Sequence, residues 1–279
     1  MYPSLKDKVA IVTGSGREGG LGQGILRRLG EEGCKLVVTD LGTPQSHMGA
    51  GDIGTTEEVE RVADGLRQAT GAEVITIACD VRSAVDCHRL IASTKANFGR
   101  VDILVNNAGI GYMMKSLFDM APDEWNAVID VNLTGAFYCT QAAAKAMVDQ
   151  GDGGRIINIA SQAGKSGFPH MAPYTASKHG MIGLTRSNAL ELGAHGITVN
   201  AICPNHVTTQ LGEKQNAYFS KLLGFDSVEA YLDAMAKKNP MGRPGKVTDT
   251  AAACAFLASD EAFYMTGEAI NVSGGEEMH

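Results

Sequence analysis

Short apolar runs recur along the chain at 9–12, 35–39, 73–78, 101–105, 155–159, 197–202 and 269–272. Most are continuously apolar and rich in Val and Ile, the composition of strands covered on both faces. Between them the apolar positions take helical spacing over 21–32, 56–69, 83–98, 123–149, 174–194 and 247–258. The 123–149 segment opens on Pro122, Asp123 and Glu124, residues that suit a first turn with free N–H groups and a positive dipole end. Strand and helix in alternation predict βαβ units, hence an α/β fold with a doubly wound, seven-stranded parallel sheet and helices on both faces. No repeat, linker or low-complexity tract interrupts the chain, so residues 1–279 are expected to form a single domain.

Two stretches break this rhythm. Residues 41–55 hold four glycines and a proline and read as a long loop. Residues 205–245 hold no strand, contain an amphipathic piece near 227–238, and end in Asn-Pro-Met-Gly-Arg-Pro-Gly. An insertion of that length predicts a substrate-binding lid.

Composition narrows the function classes. With 279 residues, 44% hydrophobic and 20% charged, the chain can bury one sizeable core. The net charge of −7 and the lack of a Lys/Arg run argue against nucleic acid or an anionic membrane as partner. The N-terminus carries no apolar signal region, and no apolar stretch approaches the ~18 residues of a membrane span. A soluble, cytoplasmic protein is expected. The six cysteines are scattered without a CxxC, which fits buried free thiols in a reducing compartment better than disulfides or zinc. No metal site is expected.

Chemistry concentrates at the predicted strand ends. The first strand runs into Thr13-Gly14-Ser15-Gly16-Arg17-Glu18-Gly19-Gly20-Leu21-Gly22, and a helix follows. Glycines let backbone approach a pyrophosphate, and the helix N-terminus offers free N–H groups to it. The second strand ends at Asp40, where a carboxylate can accept from both adenosine ribose hydroxyls and would repel a 2′-phosphate. Asp40 therefore favours NAD over NADP, while Arg17 in the glycine loop pulls the other way; Asp40 could also serve only as a cap. Farther on, Tyr174 and Lys178 stand at i and i+4 and project from one helix face. An ammonium beside a phenol is expected to lower the Tyr pKa from about 10 and make it a general acid/base. Ser161 could hold the reacting oxygen. The alternative for the pair alone is a packed Tyr beside a solvated Lys.

Together these features resemble the short-chain dehydrogenase/reductase family, in its ordinary single-domain, Rossmann-like form. The likeness runs from Lys8 to Gly275. It rests on the glycine loop, Asp80-Val81 after the third strand, Asn106-Asn107-Ala108-Gly109 after the fourth, Asn132 in Val-Asn-Leu-Thr-Gly, Ser161, Tyr174-x-x-x-Lys178, and Pro204…Thr209 after the sixth strand. The resemblance implies a catalytic set of Asn132, Ser161, Tyr174 and Lys178. Tyr174 would be the acid/base, Lys178 would tune it and bond the nicotinamide ribose, Ser161 would bond the substrate oxygen, and Asn132 would hold a relay water. It implies cofactor contacts from Gly14, Gly20, Leu21, Gly22, Asp40, Asp80, Val81, Asn107, Val207 and Thr209 as well. Asp80 would meet the adenine amine, and Thr209 with the Val207 backbone the carboxamide. It also implies a homo-oligomer, a dimer or tetramer, with the small-residue helix after Tyr174 and the last strand as interfaces.

The departures from the family pattern are informative. The spacing from Gly14 to Gly20 is longer than usual, which further weakens the NADP reading. The usual Pro-Gly is Pro204-Asn205 here, where Asn tolerates unusual backbone angles. Asp40-Leu41-Gly42 with the following insertion locally resembles the hydroxyacyl-CoA dehydrogenase branch. Candidate substrate-side residues are Ser161, Gln162, His170, His206 and Tyr112. The expected function is hydride transfer between NAD(H) and a secondary alcohol or ketone, with a polar or sugar-like small molecule favoured. The rivals are an NADP-dependent 3-oxoacyl-thioester reductase and a non-catalytic nucleotide-sensing scaffold.

Overall fold

The computed structural model describes residues 1–43, 53–111, 114–207 and 210–278, apart from the side chains of 210, 211, 213 and 214. Seven strands form one sheet: β1 Val9–Thr13, β2 Lys35–Thr39, β3 Val74–Thr76, β4 Ile103–Asn106, β5 Gly154–Ile159, β6 Ile197–Pro204 and β7 Ala269–Val272. Their order is β3-β2-β1-β4-β5-β6-β7, and every neighbouring pair is parallel. The period-two pleat is visible in β1 itself. Ala10 and Val12 join one core, and Val9 and Ile11 join the other. The first core is closed by α1 (Leu21–Glu31), α2 (Thr56–Thr70) and α9 (Val247–Ala258). The second is closed by α3 (Ala84–Phe98), α5 (Gly135–Gln150) and α6 (Ala172–Leu192). The doubly wound sheet expected from the sequence is thus present. Strand order reverses between β1 and β4, so a crevice opens above their carboxyl ends, where ligands bind in such sheets.

Helix ends show which backbone groups are spoken for. The Thr55 side chain caps α2 by accepting from Glu58 N at 3.3 Å, and that of Ser83 caps α3 by accepting from Asp86 N at 3.2 Å. α1 begins at Gly20 with no side-chain cap. Its first N–H groups are left to face the crevice.

Two elements differ from the sequence reading. The segment expected as one helix over 123–149 is α4 (Pro122–Ile129), a π-helical turn (Asp130–Thr134) and α5. The widened turn carries Asn132, whose side chain bonds the backbone of Ile110 on both sides, at 2.8 and 3.0 Å. That long-range clamp, not local propensity, breaks the helix, and π-turns of this kind collect at functional sites. The 205–245 stretch holds α8 (Val228–Lys238), as expected, and also α7 (Gln210–Leu222), which was not anticipated. The loop expected at 41–55 lies mostly outside the described residues; its base is closed by Gly42 N to Gly54 O at 3.1 Å. All six cysteines are free and buried.

Candidate active site

A cavity of about 520 Å³ lies above the carboxyl ends of the strands. Its floor is built by the turns after β1, β4 and β5. Asn107, at the end of β4, donates from Nδ2 to the carbonyls of Thr13 and Gly14 at 2.8 and 3.0 Å, tying the two strand ends together. Gly14 sits at φ +63°, and a Cβ there would lie 2.7 Å from Ala108 Cα. Only glycine fits that turn. Gly14, Gly20 and Leu21 line the cavity beside the uncapped start of α1, while Gly22 packs beneath against Asn107. This cradle of bare backbone and a helix N-terminus fits a dinucleotide's pyrophosphate.

The acidic residues beyond the cradle are already engaged. Asp40 accepts from Gly16 N at 3.0 Å, Leu41 N at 2.9 Å and Gly54 N at 3.2 Å. A carboxylate has about four acceptor sites, so roughly one remains for a ribose hydroxyl. Burial raises the Asp40 carboxyl above its ordinary value, while the three amides and the Arg17 guanidinium oppose that rise. Arg17 itself lines the cavity. Asp80, expected to meet an adenine amine, is held by Arg82 in a bidentate pair at 2.9 and 2.6 Å. Sequence reasoning missed Arg82, although the Asp-x-Arg spacing was a usable signal.

The chemical centre is assembled from β5 and α6. A buried network fixes the two: Asn106 Nδ2 donates to Asn158 Oδ1 at 2.8 Å, and Asn158 Nδ2 donates to Thr185 Oγ1 at 2.8 Å. Ser161, just past β5, lines the cavity beside Tyr174 and pulls the phenol's pKa down. Ser161 Oγ accepts from Ala163 N at 3.1 Å. Lys178 Nζ donates to Ile159 O at 2.7 Å and lies 5.6 Å from the Tyr174 ring centroid. Asn132 donates to Ser177 Oγ at 3.1 Å, one residue from Lys178. A Cβ on Gly111 would come within 2.9 Å of the Tyr174 ring, so the loop after β4 packs directly on the phenol.

The expected lowering of the Tyr174 pKa is not found in this state. Burial pushes the phenol above its ordinary value, with Ser161 pulling the other way. Burial also pulls Lys178 down to about 8. The i,i+4 spacing does put both on one helix face, but the ammonium turns to a carbonyl and sits over the ring instead of beside the hydroxyl. Desolvation therefore outweighs the charge.

Comparison with known proteins decides the family. The sequence profile described as Enoyl-(Acyl carrier protein) reductase matches residues 14–277. A 3-oxoacyl-[acyl-carrier-protein] reductase of Synechocystis is 39% identical over 99% of each chain. Among solved structures, carveol dehydrogenase of Mycobacterium avium in complex with NAD has a TM-score of 0.90 and 30% identity, covering 98% of this chain and 99% of that one. NAD⁺-bound xylitol dehydrogenase has a TM-score of 0.87 and 32% identity, covering 97% and 99%. The chain belongs to the short-chain dehydrogenase/reductase family.

In this short-chain dehydrogenase/reductase the far end of the cavity is closed by α7, α8 and the C-terminal tail. Phe219 and Leu223, at the end of α7 and just beyond it, line it with Tyr231 and Met235 of α8 and with Glu276 of the tail. Sequence reasoning missed all five, because nothing local marks them as neighbours of the Tyr174 site. Gln162 and His206 line the cavity as expected. Gln162 Nε2, however, donates to Glu277 Oε1 at 2.7 Å. His170 does not line the cavity. It sits at φ +63° with Nδ1 2.6 Å from the Tyr218 hydroxyl, and so ties the turn before α6 to α7. Asn205 needs no left-handed backbone; its Nδ2 holds Ser273 O at 2.9 Å and Glu276 Oε2 at 2.8 Å instead. Val207 pairs with Gly245 in an isolated bridge, closing the base of the 205–245 insertion. Thr209 and Tyr112 lie outside the described residues. Among the described residues, no helix is long and apolar enough to cross a membrane.

Proposed function

We propose that this oxidoreductase interconverts a secondary alcohol and a ketone with NAD(H). The observation that carries the reading is that Ser161, Tyr174 and Lys178 line one cavity with the glycine cradle, with Lys178 Nζ 5.6 Å from the Tyr174 ring centroid. The bound nicotinamide supplies the hydride chemistry. Ser161 and Tyr174 place hydroxyl donors where charge develops on the substrate oxygen. Tyr174 gives or takes the proton at that oxygen. Its raised pKa keeps the phenol protonated, as a donor to a ketone must be. Lys178 would bond the nicotinamide ribose, and Asn132, whose side chain bonds Ser177 next to Lys178, would hold the relay water. Gly14, Gly20 and Leu21 would hold the pyrophosphate, with Gly22 packed beneath them and Val81, Asp80 and Asn107 around the adenosine. Val207 and Thr209 would meet the carboxamide.

NAD is favoured over NADP by Asp40, which would set a carboxylate against a 2′-phosphate. The second reading is an NADP-dependent 3-oxoacyl-thioester reductase. It is supported by the Synechocystis relative's name and by Arg17, which lines the same end of the cavity. A single domain with the 205–245 insertion as a closing lid completes the reading. Exposed Phe118, Trp125, Phe137 and Leu190 support a homo-oligomer, which light scattering would test. The decisive experiment follows nicotinamide absorbance over a panel of secondary alcohols and 3-oxoacyl thioesters with each cofactor. Faster oxidation of alcohols with NAD supports the first reading. Thioester reduction confined to NADPH would replace it with the second.

A further inference from the structure

The C-terminal tail is stapled in place by its second glutamate, so that the first enters the cavity. After β7 the chain turns through Gly274 and Gly275, at φ +63° and +89°. Buried Asn239 donates from Nδ2 to Ser273 O at 2.8 Å and anchors that turn. The Glu277 carbonyl then accepts from Ser273 Oγ at 3.0 Å and Asn271 Nδ2 at 3.1 Å. The Glu277 carboxylate accepts from Gln162 Nε2 at 2.7 Å and Ser166 Oγ at 3.2 Å. With its neighbour held on four sides, Glu276 lines the cavity wall and accepts from Asn205 Nδ2 at 2.8 Å. Its charge reaches His206 and Tyr231, raising the pKa of each, although burial dominates both.

The wall around Glu276 is rich in acceptors. Asn205 spends its amide N–H groups on Ser273 O and Glu276, which fixes the orientation of the amide and leaves Oδ1 buried without a partner. His206 Nε2 is also buried without a partner. Burial holds the His206 imidazole below its ordinary pKa, so a neutral ring presents one nitrogen as acceptor. Lys238, at the end of α8, also lines the cavity but is exposed. Asn205 Oδ1 and His206 Nε2 are closed off from the cavity, so the acceptor this wall offers a ligand is the Glu276 carboxylate. A ligand that brings donors would engage it, and an anionic one would meet its charge.

We propose that Glu276 is a specificity-determining residue, selecting alcohols with a second hydroxyl or an ammonium group and rejecting those with a carboxylate. This rests on the alcohol/ketone reading above and deepens it. Glu276→Gln is the direct test, because it keeps an acceptor for Asn205 and removes only the charge. Three probes of similar size differ in charge: 1-amino-2-propanol, 1,2-propanediol and 3-hydroxybutanoate. With NAD, the parent enzyme's kcat/KM should favour the amine over the acid, and Glu276→Gln should cut that ratio by about 5- to 10-fold, as expected for one charge at a partly solvated site. Turnover of the neutral diol should change less than that of either ion. The melting temperature with each probe gives a second readout independent of chemistry. A ratio unmoved by Glu276→Gln, or one moved instead by Lys238→Gln, would overturn the selection by Glu276. Charge-ordered melting shifts without turnover of any alcohol would overturn the reaction reading and leave the selection standing.

Discussion

At the β1–β2 end of the cavity, Asp40 and Asp80 meet the ligand space already bonded, to three backbone amides and to Arg82. At the β6–β7 end, Asn205 Oδ1 and His206 Nε2 are buried with no partner among the described residues, and Glu276 accepts from the Asn205 amide. The first end is preorganised: its carboxylates shape the pocket whether or not anything is bound, and a cofactor adds only the last bonds. The second end is incomplete as protein alone. A fixed cofactor suits the first arrangement. Selection among substrates suits the second, since the Glu276 carboxylate on the cavity wall has acceptor capacity left for a ligand that supplies donors. Between them stands the Ser161–Tyr174 pair, which both ends serve.

Removing that middle should have the largest effect. Tyr174→Phe keeps the ring against Gly111 and deletes only the hydroxyl. Turnover should fall by about 10²- to 10⁴-fold, the usual worth of acid/base help. NADH binding, read by nicotinamide fluorescence, should survive, since the glycine cradle is untouched. Turnover near the parent's level would break the division into two ends and a centre.

Asp40→Asn probes the preorganised end. Hydrogen bonds to a charged group are worth about 1.5–3 kcal/mol, or roughly 10- to 100-fold. Preference for NADH over NADPH should shrink by that order, measured as the ratio of dissociation constants. Some of the loss should fall on both cofactors alike, because Asn carries one acceptor oxygen where Asp40 uses two. A ratio that does not change would mean that Asp40 only braces the Gly16 and Gly54 turns.

The sequence made the preorganised end far more legible than the incomplete one, and the reason is range. β2, α9 and β7 begin and end where hydrophobic spacing places them, because their partners are the generic cores on either face of the sheet. Tyr174 and Lys178 are separated by one helical turn, and the glycine cradle is contiguous. By contrast, the break at Asn132 depends on Ile110, and the job of Gln162 depends on Glu277, more than a hundred residues away. α7 was missed because Gly212 near its start and polar residues through Asn216 hide the apolar positions that begin at Tyr218. The direction of the Tyr174 shift was misjudged because helix spacing reports proximity to Lys178 but not the depth of burial.

That burial gives a pH signature at the centre. Lys178 is held down to about 8 in the folded chain, against an ordinary value of 10.5. Between these values the unfolded chain binds the proton that the folded chain has lost, so stability rises with pH. Below about pH 8 both states carry the charge, and its burial cost is present in full. Tyr174 acts oppositely and higher. Its pKa is raised above 10, so the unfolded phenol ionises first and stability falls above that pH. Buried thiols held above their ordinary values make total stability fall over the same range, so the Lys178 contribution is read as a difference between chains. Denaturant unfolding of the ligand-free proteins should show the stability of the parent relative to Lys178→Met increasing from pH 8 to about pH 10. A difference that does not change with pH would mean that Lys178 does not titrate in this range.

The smallest effect tests whether the incomplete end depends on the tail. Gln162→Ala removes one donor from the Glu277 carboxylate but leaves Ser166, Asn271 and Ser273 in place. The tail should loosen without leaving, and a change of about 2- to 5-fold is expected in KM, within the range of a single hydrogen bond of modest net worth. The pattern matters more than its size. If Gln162 acts by holding Glu276 in position, the loss should fall on amine and diol substrates and spare the carboxylate, because the acceptor oxygens are displaced together with the charge. If Gln162 instead touches the substrate, as its place after Ser161 first implies, all three should weaken together. In either case NADH affinity should hold, since Gln162, Ser166, Asn205, Asn271 and Ser273, which bond the tail, stand apart from Asp40 and the glycine cradle in the chain. A loss of cofactor affinity would mean that the two ends are coupled through Ser161 and that the contrast between them is one of degree.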